Sequence, residues 1–593
     1  MGISTRAAAR MFRPFVLGVS ALALAVTPAF SAGPIDKALP DSTILFVRVT
    51  NAAAFRESLR QSSTGQLIAD PAMKPLVDDF LGKLEGQSSE LKAKLGVSIS
   101  ELLELPQGPI NVSLIARPDA KVPVALLIAA DAGKNKETVQ GVLTKATAQA
   151  EEKGAKVATE EFKGVTINLV KPPRKDDNAP DVTFAWANTG TTFNITSDVD
   201  ALKEFLTNAE GREDSLFSNE SYQAVLKRVG AESQVLWFLD ANKALQLALA
   251  AAAKGDGGAN VQQVEAVLQL LGLKGLKAIG GGTTYGVGGY DTLTKTYFYT
   301  PGPAQGVLKV FNTPKADLRP QAWVPATVAT YQSLSWDLDA AWSAVNELAN
   351  TFQPGILQVV QQQLVGPDGQ TLDFQKDLFG PIGDRITAIS DFKKPTGGED
   401  TQRSLFAVAL EDTKAFEATL GKIIAITNAQ PKKREFQGTT IYDFTLPEMP
   451  NAANNPFKGP LSVAIAKDNA YIATDPSLLE QVLRGGPGLA DTAEFQAVAK
   501  SIPEQTTTLT YTKPEEAARQ SYEMIKSGQL EKAFGGAAAA GGPDLKELGK
   551  LIDKEKLPDF SVFAKYLSQG GGFGTSDEDG ALFTTFILRK TNP

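Results

Sequence analysis

The sequence predicts an α+β fold, built as a tandem duplication of a unit with antiparallel sheets and repeated strand–cap–helix junctions. Three observations carry that expectation. The first is that EFKGVTINLV (Glu161 to Val170) returns as EFQGTTIYDF (Glu435 to Phe444), with five of ten positions identical. The second is that further pairs follow in one collinear order. LPDSTILF from Leu39 answers VPATVATY from Val324, and the Gly-Pro-Ile at Gly108 answers the one at Gly380. ITSDVDALKEFL from Ile195 answers IATDPSLLEQVL from Ile472, SYQAVLK from Ser221 answers EFQAVAK from Glu494, and the triple glycine at Gly280 answers that at Gly570. The offsets stay between 272 and 290, which reads as a long-period repeat. The third is a local grammar: a short apolar strand runs into Asn, Asp or Thr, and a helix-period segment follows.

That grammar occurs in LFVRVTNAAAFRESL, LLIAADAGKNKETVQGVL, FNITSDVDALKEFL and LWFLDANKALQLAL of the first half. It recurs in QSLSWDLDAAWSAV, FAVALEDTKAFEATL, YIATDPSLLEQVL and LTYTKPEEAARQSY of the second. The polar residue accepts from the orphan N–H groups of a helix start, and Pro476 and Pro514 suit first-turn positions that need no amide donor. Hairpins separate these units. In the repeated motif Lys163-Gly164 and Gln437-Gly438 join two β-prone runs, and Gly164 and Gly438 supply the positive φ of a tight two-residue turn.

Residues 1–31 read as a signal peptide. Arg6, Arg10 and Arg13 precede the apolar run FVLGVSALALAV, and Ala29 and Ser31 are the small residues before a cleavage site between Ser31 and Ala32. As a helix that run spans about 18 Å, short of a bilayer core of about 30 Å. An uncleaved anchor is the alternative. No later segment has 18 uninterrupted apolar residues, so no span is expected in the mature chain. The organisation expected is thus 32–303 as the first repeat, 304–322 as a proline-bearing linker or crossover, and 323–593 as the second repeat.

Composition narrows the chemistry. The chain has no cysteine and no histidine, which excludes disulfides, thiolate and imidazole nucleophiles, Ser-His-Asp triads and the usual zinc sites. The formal charge is −8, and losing three arginines with the signal makes it more negative. Such a surface, without a long basic run, argues against nucleic acid and against electrostatic adhesion to anionic lipid.

The remaining motifs read as structure. GGGTTYGVGGY (Gly280 to Tyr290) resembles a phosphate cradle, yet a strand pattern follows it where a dinucleotide loop needs a helix. Its second copy leads into the turn Asp577, Glu578, Asp579, Gly580, whose spacing does not fit a calcium loop; adventitious calcium at Asp577 or Asp579 stays open. Asp176-Asp177 and Glu411-Asp412 read as solvated turns. Ser89/Lys92 and Ser390/Lys393 have the S-x-x-K spacing of serine–lysine catalysis but lack its companion elements. The loops 171–181 and 447–460 occupy equivalent places after the hairpin and differ in charge. The helical segments 261–276 and 544–557 and Trp186, Trp237, Trp336 and Trp342 are expected in the core. No catalytic, cofactor-binding or metal residue is assigned.

LPDSTILFVRVTNAAAF and STGQLIADPAMKPLVDDF, through Leu39, Pro40, Asp41 and Thr43 and then Gly65, Leu67, Asp70 and Pro71, resemble a domain-of-unknown-function family of large exported bacterial proteins. The second half keeps Pro325 but lacks the Asp-Pro segment. The resemblance implies export and no assigned reaction. The functional expectation is an exported, non-enzymatic envelope or periplasmic protein acting as a scaffold or binding module. The alternatives are a carrier of an apolar ligand held between the repeats, and a hydrolase using carboxylates or Ser/Lys. The partner expected is an unknown protein or a small apolar ligand.

Overall fold

The computed structural model describes residues 34–87, 89–120, 122–174, 182–210, 214–254, 261–366, 369–394, 401–445, 460–528 and 551–590. The segment 1–31 with Ser31 and Ala32 lies outside the described residues. So do most of the loop 171–181, nearly all of the loop 447–460 and half of the segment 544–557.

Twenty strands form one sheet in which every pairing is antiparallel. The first ten are β1 (Thr43–Val49), β2 (Ile110–Ala116), β3 (Val124–Asp131), β4 (Lys156–Phe162), β5 (Val165–Lys171), β6 (Phe184–Thr189), β7 (Thr192–Thr196), β8 (Val235–Asp240), β9 (Ala278–Tyr285) and β10 (Tyr290–Tyr299). The others are β11 (Thr330–Ser335), β12 (Ile382–Phe392), β13 (Gln402–Leu410), β14 (Lys432–Phe436), β15 (Thr439–Phe444), β16 (Leu461–Ala466), β17 (Asn469–Ala473), β18 (Thr508–Thr512), β19 (Gly570–Asp577) and β20 (Gly580–Leu588).

Followed from one edge, the pairings run β4-β5-β6-β7-β3-β2-β1-β8-β9-β10. They continue as β20-β19-β18-β11-β12-β13-β17-β16-β15-β14. The order reads alike from both edges, and its midpoint is the pair β10–β20. Both outer strands are short and charged, KVATEEF and KKREF, which protects edges from pairing with other chains.

Local chemistry sets the elements. Lys163 and Gly164 both have positive φ (50° and 74°), and Gln437 and Gly438 repeat this at 48° and 78°. This backbone matches the twist of the strands it joins, and Gly meets it without a Cβ clash. At the strand-to-helix corners, Asn51, Asp198, Asp240, Asp337, Asp412 and Asp475 accept the N–H of Ala54, Ala201, Lys243, Ala340, Ala415 and Ser477. Each satisfies one orphan donor, an effect worth about 1 kcal/mol.

Alternate strand residues fill a core under helices on one face of the sheet. In the first half Phe46, Leu127, Ile167 and Phe238 meet Leu202 of the helix Val199–Asn208 and Tyr222 of the helix Glu220–Val229. In the second, Tyr331, Leu405, Ile441 and Tyr511 meet Leu478 and Phe495. Each seam strand feeds both cores: Tyr290 and Leu293 of β10 and Phe586 of β20 pack on the second, and Tyr297 and Tyr299 of β10 and Leu582 of β20 pack on the first. Residues 304–322 lie against the second half: Leu318 is buried, its carbonyl accepts from the Tyr331 hydroxyl at 2.7 Å, and Ala316 bridges Thr506.

A charge sits inside the first core. Asp36 and Arg48 are 0% and 1% exposed. Arg48 Nη1 donates to Asp36 Oδ2 at 2.6 Å, Tyr222 donates to the same oxygen at 2.5 Å, and Arg48 Nη2 reaches the Ala231 carbonyl at 3.0 Å. Asp36 Oδ1 and Arg48 Nε are buried without partners. Burial, and then the Asp36 charge, push the Tyr222 hydroxyl far above its usual pKa, so it stays a donor.

The halves are also clasped outside the sheet. Asp70 accepts from the Ala72 N–H at 2.9 Å and from the Tyr566 hydroxyl at 2.9 Å, with Lys565 at 3.5 Å; Asp79 pairs with Lys556. The Ala72 N–H first, and then Tyr566, hold the Asp70 carboxyl below the ordinary carboxylate range. A depressed pKa contributes stability that is present above the unfolded value and is lost as pH falls through the folded one. Asp70→Asn should therefore lower Tm at pH 7, and the gap to the parent should narrow as pH falls below the ordinary carboxylate range. Thermal melts across that range read it; a gap of constant size would contradict the linkage.

Candidate functional site

The segment EFKGVTINLV borders a groove between the helix Lys136–Glu152 and the strands β5 and β6. The helix Lys136–Glu152 buries none of its residues fully. Its spacing explains why. Lys136, Gln140, Thr144, Thr147 and Glu151 fall on one helical face by steps of four and three, and that polar face is turned to the sheet. Val139, Leu143, Ala146 and Ala150, on another face, are half-buried. The helix leans on its neighbour Ser89–Leu95, to which Gln149 donates at the Lys94 carbonyl.

The sheet side of the groove comes from β5 and β6. Thr166 and Asn168 alternate with Ile167, which is buried in the core, while Trp186 and Asn188 alternate with the buried Ala185 and Ala187. Asn168 stands opposite Trp186 in the register. Gly164 and Gly190, from the two adjoining hairpins, complete the lining, and the volume is about 680 Å³. One strap crosses the gap: the Trp186 indole N–H donates to Thr147 Oγ1 at 3.0 Å. The Asn188 side-chain oxygen is buried and accepts no hydrogen bond. The arrangement can offer amides and hydroxyls to a bound molecule, and it contains no nucleophile–base pair.

The corresponding positions of the other half differ in kind. There Tyr442 stands opposite Val463, with Ile465 two residues on, where the groove has Asn168, Trp186 and Asn188. The helix above, Thr413–Ile426, buries Thr419 and Leu420, and the Thr419 hydroxyl donates to the Asp377 carbonyl in the turn Phe374–Phe379 at 2.6 Å.

The motif residues fall as follows. Ser89 and Lys92 are both exposed on the helix Ser89–Leu95. Ser390 shares a hydrogen bond with Thr330 at 2.7 Å, whereas Lys393 pairs with Asp475, the cap of the helix Pro476–Arg484; the two are engaged apart. The triple glycines lie inside β9 and at the start of β19. A Cβ on Gly280 would lie 2.4 Å from Val225, and one on Gly571 would lie 2.4 Å from Val498, so these glycines let a helix press on the sheet in both halves. Asp577 is paired with Arg228 at 2.7 Å, and Asp412 is a helix cap. Asp176 and Asp177 lie outside the described residues. Among the described residues no three His, Cys, Asp or Glu side chains group as a metal site, and no helix is long and apolar enough to cross a membrane.

Two expectations about the core need correction. Val267 of the helix Val261–Leu270 and Leu273 beyond it are each 37% exposed, because this segment packs on the helix Ala241–Lys254 and on the turn Gly306–Phe311 rather than on the sheet. Of the tryptophans, Trp186 is buried, but Trp237, Trp336 and Trp342 are half-buried at the margins. Trp336 donates to the Val310 carbonyl at 2.6 Å, and Trp342 stacks on Phe379 with centroids 5.0 Å apart.

The groove itself escaped the sequence reading. Its residues are neutral amides and hydroxyls that belong to no motif, and the one trace was the polar stripe along 136–151. A family-model scan, a search of curated proteins and a search of solved structures each find no match to this chain.

Proposed function

We propose that this is an exported, non-enzymatic envelope protein, made by tandem duplication, whose first repeat has become a binding module. The observation that carries the reading is the groove under the helix Lys136–Glu152: one half keeps a polar floor where the other has Tyr442, Val463 and Ile465. Polar groups on a floor that packing would fill cost stability, so their retention there is better explained by a ligand than by the fold. Duplication is supported by the ordered sequence pairs and by a strand order that reads alike from both edges. Export is supported by the basic–apolar–small pattern of residues 1–31 and by the resemblance to the exported family.

The test is intact native mass spectrometry of the protein purified from its own host. The expected species begins at Ala32 and carries a bound molecule or partner. A species that begins at Met1 would remove the cleavage reading, and one without cargo in any preparation would weigh against the module.

A second reading, a carrier of an apolar ligand between the repeats, is favoured by the seam. Phe583 and Ile587 of β20 are 36% and 42% exposed, and Phe298 of β10 packs edge-on against Phe583 at 5.7 Å. Lipid that copurifies and is lost on Phe583→Ser would support it; lipid retained by that variant would not.

A further inference from the structure

We infer that the groove takes an uncharged, hydroxyl-rich ligand, in its extended form an oligosaccharide chain. This deepens the binding-module reading and rests on it. The inference starts from where charge is placed. Lys136 and Glu151 stand at opposite ends of the lining helix, about 22 Å apart at 1.5 Å per residue. Between them the surface offers Gln140, Thr144, Asn168 and Asn188, all neutral. An anionic or cationic ligand lying along this length would exchange hydration for contacts with no counter-charge in the middle, and charge-assisted bonds are what such ligands require. An apolar chain fares worse. It would strand the Asn188 amide oxygen and cover the Thr144 hydroxyl, at about 1–3 kcal/mol for each group left unpaired.

A sugar hydroxyl both donates and accepts, so it suits a wall on which amide N–H, amide C=O and threonine O–H alternate. The Asn188 oxygen points the same way: it is buried with no donor among the described residues, and a ligand O–H or N–H would satisfy it where an apolar chain would not. An extended peptide also has N–H groups, but it would look for a free strand edge. Both strands here are internal, with β5 paired to β4 and β6 and β6 paired to β5 and β7, so their backbone groups are already used. The volume of about 680 Å³ is of the size that ligand clefts have.

The experiment uses the mature chain labelled with 5-fluorotryptophan, with the Trp186 resonance assigned through Trp186→Phe. Fluorine NMR and calorimetry follow titration with chitohexaose, maltohexaose and cellohexaose, and separately with hexa-alanine and decanoate. At least one hexaose is expected to bind and to shift Trp186. Asn188→Leu should weaken that binding tenfold or more with no fall in Tm, and Thr144→Val, on the exposed helix, should weaken it in the same direction. Lys136→Gln and Glu151→Gln should each change it less than threefold. Hexaose binding that neither Asn188→Leu nor Thr144→Val alters overturns the site. Hexa-alanine or decanoate shifting Trp186 while no hexaose does overturns the ligand class and leaves the binding module standing. If none of the five probes moves Trp186, both readings fall.

Discussion

Arg48→Ala should lower the unfolding free energy by about 3–5 kcal/mol, a large share of the roughly 5–15 kcal/mol that holds a typical domain together. The reason is the charge left behind. Asp36 is fully buried, and the guanidinium 2.6 Å away is its one ion-pair partner among the described residues. Removing Arg48 strands a carboxylate among Phe46, Tyr222 and Phe238. Asp36→Leu should cost a similar amount by stranding the guanidinium, and Tyr222→Phe about 1.5–3 kcal/mol for one charge-assisted hydrogen bond. The informative variant is the double, Asp36→Leu with Arg48→Met. Neither charge then needs a partner, and its loss should be smaller than that of either single change. Urea denaturation midpoints measure all four. Additive losses would show that the pair is not a coupled unit. Asp36 lies five residues past the predicted cleavage site, so the start of the mature chain would be pinned within the core.

A chain ending at Glu578 should self-associate beyond the state of the parent. It loses β20, which pairs with β10 on one side and β19 on the other. Two long edges then face solvent at the centre of the sheet, and with them goes Phe586, a member of the second core. Exposed edges of this length recruit other strands, so the expected product elutes as oligomers or aggregate in size-exclusion chromatography with light scattering. Recovery of a monomer with the parent Tm would mean that the seam contributes little. The truncation should be more damaging than any loop deletion of equal length.

Local features were legible in the residues. The Lys163-Gly164 and Gln437-Gly438 turns, the capping aspartates and the alternation of Phe46 and Phe238 follow from chemistry within a few positions. What joins the halves was not legible. The pairing of Tyr290–Tyr299 with Gly580–Leu588 joins residues from 281 to 298 positions apart, and no local pattern states which strand an edge will meet. The Asp70 clasp has the same character: the motif announces a capped turn, but Tyr566 and Lys565 come from the other end of the chain. The candidate site was hidden for another reason. Threonine, asparagine and glutamine on a helix face read as solvated surface, and only the strands beneath make them a wall. Val267 and Leu273 were misplaced because helical spacing reveals an apolar stripe without saying how much of it a partner covers.

The place of β20 has a consequence in time. Of the described strands the last made, β20, stands at the middle of the sheet, and β10, its partner, is made almost three hundred residues earlier. Each half can gather its own strands as they emerge, but β10 must wait as a bare edge until β20 arrives. Contacts that close so long a loop form slowly, and chains with exposed edges are vulnerable while they wait. Closure of the sheet is therefore governed by β20, and a chain interrupted just before it is as open as one interrupted at β10.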